Sequence, residues 1–209
     1  MLKGTTMERF IRGGIAAAIL GGLLLAAGAF LTTMQAGHQQ FSDQVLTGMF
    51  TASAALRFTG AILMTWGTIS LYLAQADRAG RLGLVAVVAC LANMASQTGW
   101  MFSDLFIAPS FAHAAPEILN NGSGPMTVGF MAAWLANVSF ILLGIATLRA
   151  RVLPKTSGVA LVIVGAITLI PLPVDGPVYE VIIGIAFAIA GARALTASTR
   201  APLPAQPAT

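Results

Sequence analysis

Long apolar stretches separated by short polar connections run along most of the chain. Several of them approach or exceed the roughly 20 apolar residues that cross a hydrocarbon core of about 30 Å. Lipid cannot hydrogen-bond to an exposed backbone, and the alternating segments of a membrane barrel are missing from the sequence, so each crossing segment is expected to be a helix. The pattern predicts an all-α, polytopic transmembrane bundle with six spans at about 13–34, 49–73, 82–106, 126–148, 156–172 and 177–195.

The composition agrees with a lipid environment. The 209 residues are 57% hydrophobic and 9% charged, whereas a soluble domain is about 25% charged. We therefore expect residues 1–195 to form a single bundle without a separate soluble domain, with the lipid bilayer as a partner. The segment 196–209 is rich in Ala, Pro, Ser and Thr, which predicts a disordered cytoplasmic tail.

The positions of Lys and Arg predict the orientation, because positive residues are retained on the cytoplasmic side of a membrane. Of the 11 Lys and Arg residues, all except Arg57 flank the predicted spans on one side. The connections 35–48, 107–125 and 173–176 lie on the other side and carry none. Both termini are thus predicted to be cytoplasmic, and these three connections to face the exterior or periplasm. The basic residues form no run, so a nucleic-acid partner is not expected.

The first span has an alternative interpretation. Its basic start, its apolar run and the small residues Ala27-Gly28-Ala29 resemble a cleavable signal peptide. However, the apolar run is longer than a usual signal core, and its removal would leave five spans. The pattern therefore favours a retained membrane helix.

Polar residues inside the spans are the candidates for a functional site. Arg57 lies about 8 residues, or roughly 12 Å, below the predicted outer boundary, where a charge needs partners. On the third span, Asn93, Gln97, Trp100 and Asp104 are spaced 4, 3 and 4 residues apart and so share one side of a helix. Adding residues of similar depth on the fourth and sixth spans gives the candidate ligand-binding or charge-relay set: Arg57, Gln97, Trp100, Asp104, Trp134, Asn137, Tyr179 and Glu180.

These residues suggest a polar chamber in the outer half of the bundle. In this hypothesis Arg57 acts as an anion receptor or charge relay, and Asp104 and Glu180 are its counter-charges. The alternative is a buried ion pair that does no more than fix the register of the helices.

Recognisable catalytic motifs are missing, including HExxH and a nucleophile elbow. The single cysteine, Cys90, excludes an intramolecular disulfide. His38 and His113 lie in outer connections with Asp43 and Glu117 nearby, but loop histidines are usually solvated, and we expect neither a metal site nor a cofactor. An enzyme is therefore less expected than a binding protein.

Glycines repeat at seven-residue intervals on three spans, which places small surfaces along one side of each helix. Close helix packing is the simplest interpretation. The same surfaces could also dock another membrane protein or a second copy of the chain. The residues are Gly14, Gly21 and Gly28 on the first span, Gly60 and Gly67 on the second, and Gly184 and Gly191 on the sixth.

The segments Leu56-Arg57-Phe58-Thr59-Gly60 and Arg149-Ala-Arg-Val-Leu-Pro-Lys155 resemble motifs of the six-helix membrane proteins common in bacteria, especially the DUF4386-like group. The motifs cover about 20 residues, and the outer loops depart from the group's pattern. The resemblance implies a six-helix fold and a multi-pass location in the bacterial inner membrane. It implies no mechanism.

Three functions are compatible with these patterns. The first is a noncatalytic membrane protein that binds a small ligand or partner in the outer half of the bundle. The second is an accessory subunit of a membrane complex. The third is a small transporter or membrane enzyme that uses Arg57 with Asp104 or Glu180, although the broken helices typical of secondary transporters are not apparent in the sequence.

Overall fold

The computed structural model describes residues 4–35, 40–121, 125–170 and 176–200. Within these ranges the chain forms helices joined by turns and contains no strand, which confirms the predicted all-α class. The helices are α1 (Gly4–Gln35), α2 (Phe41–Val45), α3 (Gly48–Leu73), α4 (Ala76–Phe102), α5 (Ala108–Ala114), α6 (Pro116–Asn121), α7 (Pro125–Leu135), α8 (Val138–Ala150), α9 (Lys155–Leu169) and α10 (Gly176–Arg200), and a π-helical turn, Ser103–Ile107, joins α4 to α5.

The long helices form a closed ring. α1 packs against α3, α3 against α4, α4 against α8, α8 against α9 and α9 against α10, while α10 returns to pack against α1. Each long helix therefore contacts the long helices that precede and follow it along the chain. We call the end of the ring that carries α2, α5 and α6 the outer end, after the orientation predicted from the Lys and Arg residues.

Four helical segments are long and apolar enough to cross a membrane: Thr6–Gln35, Ala76–Ala114, Met131–Ala150 and Gly176–Ala197. α3 has 26 residues, but Arg57 and its Ser and Thr residues lower its hydropathy. α9 has 15 residues, which is about 22 Å of helix and shorter than a hydrocarbon core of about 30 Å.

The surface of the ring is apolar and its interior holds many polar side chains. Outward-facing residues such as Leu20, Leu84, Val128, Ile163 and Ile185 are exposed. By contrast, the described Lys and Arg side chains other than Arg57 are exposed near the helix ends. An exposed apolar belt of this extent is typical of a surface that faces lipid. Buried polar residues include Ser53, Arg57, Thr68, Asn93, Asp104, Asn137, Ser139, Thr147 and Thr168.

The third span continues beyond its predicted end at residue 106. The π-helical turn carries the chain from α4 into α5, and the Ala108 N–H donates to the Ser103 carbonyl five residues earlier. Pro109 follows directly and cannot donate to the carbonyl four residues before it, so a wider turn accommodates its ring. At the other end of α4, Gly80 has a φ of 57° and kinks the first helical turn.

The α-helical hydrogen bonding of the fourth predicted span is interrupted by one tight turn, although the segment Met131–Ala150 stays helical overall. α7 and α8 are separated by a turn at Ala136 and Asn137. Here the Asn137 N–H donates to Trp134 O, and the Phe140 N–H donates to Asn137 O, each three residues back. Asparagine favours such departures because its side chain competes for hydrogen bonds with the backbone.

The last helix is longer than predicted. The tail was expected to begin at residue 196, but α10 continues to Arg200. Ala194 is buried and Leu195 is half-buried, and both pack with Ile15 and Leu71 in a small cluster at the inner end. These contacts anchor the end of the predicted span, from which the helix continues to Arg200. The rest of the predicted tail, 201–209, lies outside the described residues.

Glycines bring α1 close to both of its neighbours. A Cβ atom on Gly21 would lie 2.7 Å from the Gly60 carbonyl oxygen of α3, and one on Gly22 would collide with the Gly184 carbonyl oxygen of α10. The seven glycines of the repeat all meet atoms of neighbouring helices in this way. Close packing within the chain thus accounts for the small-residue surfaces.

Candidate functional site

Three charged side chains meet inside the ring in its outer half. Arg57 of α3 donates from Nε to Glu180 Oε2 at 2.6 Å and from Nη2 to Glu180 Oε1 at 2.7 Å. It also donates from Nη1 to Asp104 Oδ2 at 3.1 Å. The Arg57 side chain is 5% exposed, against 12% for Asp104 and 16% for Glu180. The guanidinium is therefore paired by a two-bond fork on one side and a single bond on the other.

Close packing of α1 against α3 positions Arg57. A Cβ atom on Gly28 would lie 2.7 Å from the Ser53 carbonyl oxygen and 2.8 Å from Arg57 Cγ. The Gly28 carbonyl accepts hydrogen bonds from Ser53 Oγ at 2.7 Å and Thr32 Oγ1 at 3.3 Å. Because glycine has no side chain, the backbone of α1 can lie against the stem of Arg57.

The π-helical turn positions Asp104. The wider turn places an additional residue into the helix at this point, and π-turns of this kind are frequent at functional sites. Asp104 is buried, and its Oδ2 atom accepts from Arg57. In the part of the chain that the structure describes, its Oδ1 atom makes no hydrogen bond with the protein.

A cavity of about 460 Å³ adjoins this ion cluster. A volume of this size falls within the roughly 300–1,000 Å³ that is usual for small-molecule sites. The structure brings all eight predicted residues together on the cavity wall: Arg57, Gln97, Trp100, Asp104, Trp134, Asn137, Tyr179 and Glu180.

Most of the cavity wall is apolar, which the prediction of a polar chamber missed. Phe41 and Phe50 line the outer end, and Met131 and Ile183 line the sides. Thr32, Ala133, Gly176 and Pro177 also line it. Apolar residues of a membrane protein occur everywhere in the sequence, so no pattern separates those that face a cavity from those that face lipid. The result is an amphipathic site with charges grouped on part of an apolar and aromatic wall.

Two polar side chains on the wall are available to a ligand. Gln97 and Trp134 make no side-chain hydrogen bonds among the described residues, and both are half-buried. An amide group and an indole N–H in such a position can bind a ligand at little desolvation cost. Tyr179 differs because its hydroxyl donates to the Ile170 carbonyl at 2.8 Å.

Buried amides lie beside the cavity where the fourth span is interrupted. Asn93 Nδ2 donates to Asn137 Oδ1 and to Ser139 Oγ, both at 3.2 Å. Asn93 is 1% exposed, and its Oδ1 atom has no hydrogen-bond partner among the described residues. Asn93 was predicted to share a stripe with Gln97 and Asp104; it lies behind the cavity wall and fixes Asn137 from there.

Two outer connections are joined to each other at the outer end. Asn120 of α6 accepts from the Ser42 N–H at 3.0 Å and donates to Gln40 Oε1 and Ser42 Oγ at 3.0 Å each. Below these bonds, α2, α3 and α5 pack in an apolar cluster that includes Val45 and Phe50. The connections therefore cover part of the cavity, since Phe41 and Phe50 belong both to this packing and to the cavity wall.

His113 does not line the cavity. His113 is exposed, and its Nδ1 atom lies 2.8 Å from the Pro109 carbonyl oxygen. His38 lies outside the described residues. Within those residues there is no group of three or more His, Cys, Asp or Glu side chains placed to hold a metal ion.

Comparison with known proteins gave no family assignment: no protein-family model, no curated protein and no solved structure matches the chain. The resemblance to the DUF4386-like group therefore stays a prediction from the two quoted segments.

Proposed function

We propose that the chain is a multi-pass membrane protein that binds a small ligand in the cavity beside Arg57. Six spans, α1, α3, α4, α7 with α8, α9 and α10, cross the bilayer with both termini in the cytoplasm, and the cavity opens toward the exterior or periplasm. The bacterial inner membrane is the proposed location. Support for the crossings comes from the apolar outer surface of the ring and from the distribution of Lys and Arg.

One observation carries the proposal of ligand binding: the ion cluster adjoins a cavity of about 460 Å³ instead of being packed by side chains. An ion pair that serves packing alone would be expected to be closed in by neighbours, because interiors are filled densely. Here all three charged residues lie on the wall of a mainly apolar space. Such a space with a few converging polar groups is typical of small-molecule sites.

A pair of neighbouring alanines on α7 allows a matched test. Ala133 lines the cavity, whereas Ala132 is exposed on the outer surface. A ligand that binds the folded state raises its thermal stability by mass action. We expect members of a panel of small amphipathic molecules to raise the Tm of the wild type and of Ala132→Trp in nanodiscs, but not that of Ala133→Trp. Equal shifts in both variants, or no shift in the wild type, would argue against the cavity as a ligand site.

A transporter is the second candidate, and the tight turn between α7 and α8, where the α-helical hydrogen bonding is interrupted beside the cavity, favours it. Irregular backbone at membrane depth is tolerated where it lines a cavity or is buried in protein. Asn137 lies at the interruption and lines the cavity. Flux of a bound ligand into proteoliposomes would distinguish transport from simple binding, with Ala133→Trp as the blocked control.

The proposal of an accessory subunit has weaker support. It rested on small-residue surfaces that another protein could use, but the repeated glycines contact helices of the same chain. A protein partner would therefore need another surface.

A further inference from the structure

We infer that the cavity selects organic cations, with an amine or quaternary ammonium group joined to an apolar body. This inference rests on the proposed function and names the ligand class of the same site. It follows from the balance of charges in the ion cluster and from the kind of wall that surrounds it.

The ion cluster contains one cation and two carboxylates. Glu180 pairs with Arg57 through two parallel hydrogen bonds of 2.6 and 2.7 Å, which is the geometry in which an arginine is matched by one carboxylate. Asp104 adds a second carboxylate through a single bond of 3.1 Å. With all three groups ionised, the cluster carries one negative charge in excess, and Asp104 supplies it.

The exposure of the three charged side chains agrees with the excess of negative charge in the cluster. Arg57 is the least exposed of the three side chains, at 5%, against 12% for Asp104 and 16% for Glu180, and all three line the cavity. An incoming anion would meet an excess of negative charge and a guanidinium that already donates three of its N–H groups to carboxylates. The structure thus favours Arg57 as the group that holds the carboxylates in place, not as the anion receptor considered from the sequence.

The wall suits a cation with an apolar body. Trp100, Trp134, Tyr179, Phe41 and Phe50 supply aromatic surface around the cavity. Aromatic rings attract cations through their faces, and cages of such rings bind quaternary ammonium groups without hydrogen bonds. A positive group near Asp104 would therefore be stabilised by charge, and its apolar part by the remaining wall.

Three probes of similar shape and different charge test the inference: benzyltrimethylammonium, its neutral isostere neopentylbenzene, and the anion phenylmethanesulfonate. Binding to the full chain in nanodiscs is followed by tryptophan fluorescence, because Trp100 and Trp134 line the cavity. Empty nanodiscs correct for partition into lipid. We expect the cation to bind at least tenfold more tightly than the neutral probe, and the anion to bind most weakly.

Substitution of the surplus carboxylate provides the matched comparison. Asp104→Asn keeps the size of the side chain and leaves the Arg57–Glu180 fork in place, but removes the excess charge. The preference for the cation over the neutral probe should fall to less than about threefold in this variant. Asp77→Asn, at an exposed position near the start of α4, should leave the preference unchanged.

The outcomes separate the ligand class from the proposed function. Equal binding of the cationic and neutral probes to the wild type, or tightest binding of the anion, overturns the inference while leaving a small-molecule site. A cation preference that survives in Asp104→Asn overturns the role of the surplus carboxylate.

If no probe binds, the cation inference fails. The comparison of Ala132→Trp with Ala133→Trp then decides separately whether the cavity binds other molecules. Should Asp104→Asn fail to fold, Glu180→Gln removes an equal negative charge from the cluster and replaces it in the comparison.

Discussion

Arg57 and Glu180, 123 residues apart in the chain, are joined by two hydrogen bonds of 2.6 and 2.7 Å. Their helices, α3 and α10, lie on either side of α1 in the ring, so this pair links them across the interior. The fork therefore contributes both to the geometry of the cavity and to the stability of the fold.

The ion cluster should respond unequally to neutralisation of its members. Arg57→Gln leaves two buried carboxylates without a cation and should cost about 3–5 kcal/mol of unfolding free energy. Glu180→Gln leaves Arg57 paired with Asp104 and should cost about 1–3 kcal/mol. Denaturant-induced unfolding in mild detergent measures both values, with Arg78→Gln as a control at an exposed position. Equal losses in the two variants would contradict the pairing.

The approach of α1 to α3 depends on the missing side chain at Gly28. Gly28→Ala should destabilise the protein by about 1–3 kcal/mol, because the added Cβ would overlap with the Ser53 carbonyl oxygen and Arg57 Cγ. A Cβ atom on Gly99 of α4 would have no heavy atom of a neighbouring residue within 4 Å. Gly99→Ala should therefore be neutral or stabilise the protein by up to about 1 kcal/mol. Thermal unfolding in one detergent compares the two. A loss at Gly99 as large as that at Gly28 would contradict the account of packing.

Asn120 should control the order of the outer connections. Its side chain makes three hydrogen bonds to Gln40 and Ser42, whereas the side chain of its exposed neighbour Asn121 makes none to the described residues. We expect Asn120→Ala to accelerate hydrogen exchange across α2 with little change in the exchange of α3, and Asn121→Ala to leave both unchanged. Unaltered exchange of α2 in Asn120→Ala would show that apolar packing alone holds this cover.

The proposed orientation can be tested by cysteine labelling in intact cells. Cys90 is buried, so the wild type should react poorly with a membrane-impermeant maleimide. A cysteine in place of Glu117 on α6 should be labelled from outside, and one in place of Arg78 on α4 should be labelled after permeabilisation alone. Both positions are exposed. The opposite pattern would invert the bundle and move the cavity to the cytoplasmic side.

Local patterns were sufficient to predict the residues that surround the ion cluster. Gln97, Trp100 and Asp104 share a helix face because of their spacing, and Arg57 at membrane depth required carboxylates within reach. The predicted depth of each residue in the membrane followed from the predicted ends of its span. These are properties of single helices, and they do not depend on which helices are neighbours.

Other features of the site depend on tertiary packing and were not predictable. The closeness of Gly28 to Arg57 requires the order of helices in the ring, and the position of Phe41 requires the fold of an outer connection. The interruption at Asn137 has a weak local signal, since asparagine within an apolar span is compatible with continuous helix. The hydrogen bond from Asn93 that accompanies the interruption comes from another helix.

Native mass spectrometry of the full chain, extracted gently from its own membrane, tests the central claim that the cavity beside Arg57 holds a small molecule. We expect a bound molecule at one copy per chain in the wild type and in Ala132→Trp, and its loss in Ala133→Trp, where the tryptophan fills the cavity. Retention of the same molecule at the same occupancy in Ala133→Trp, or its absence from the wild type, would show that the cavity is not a ligand site.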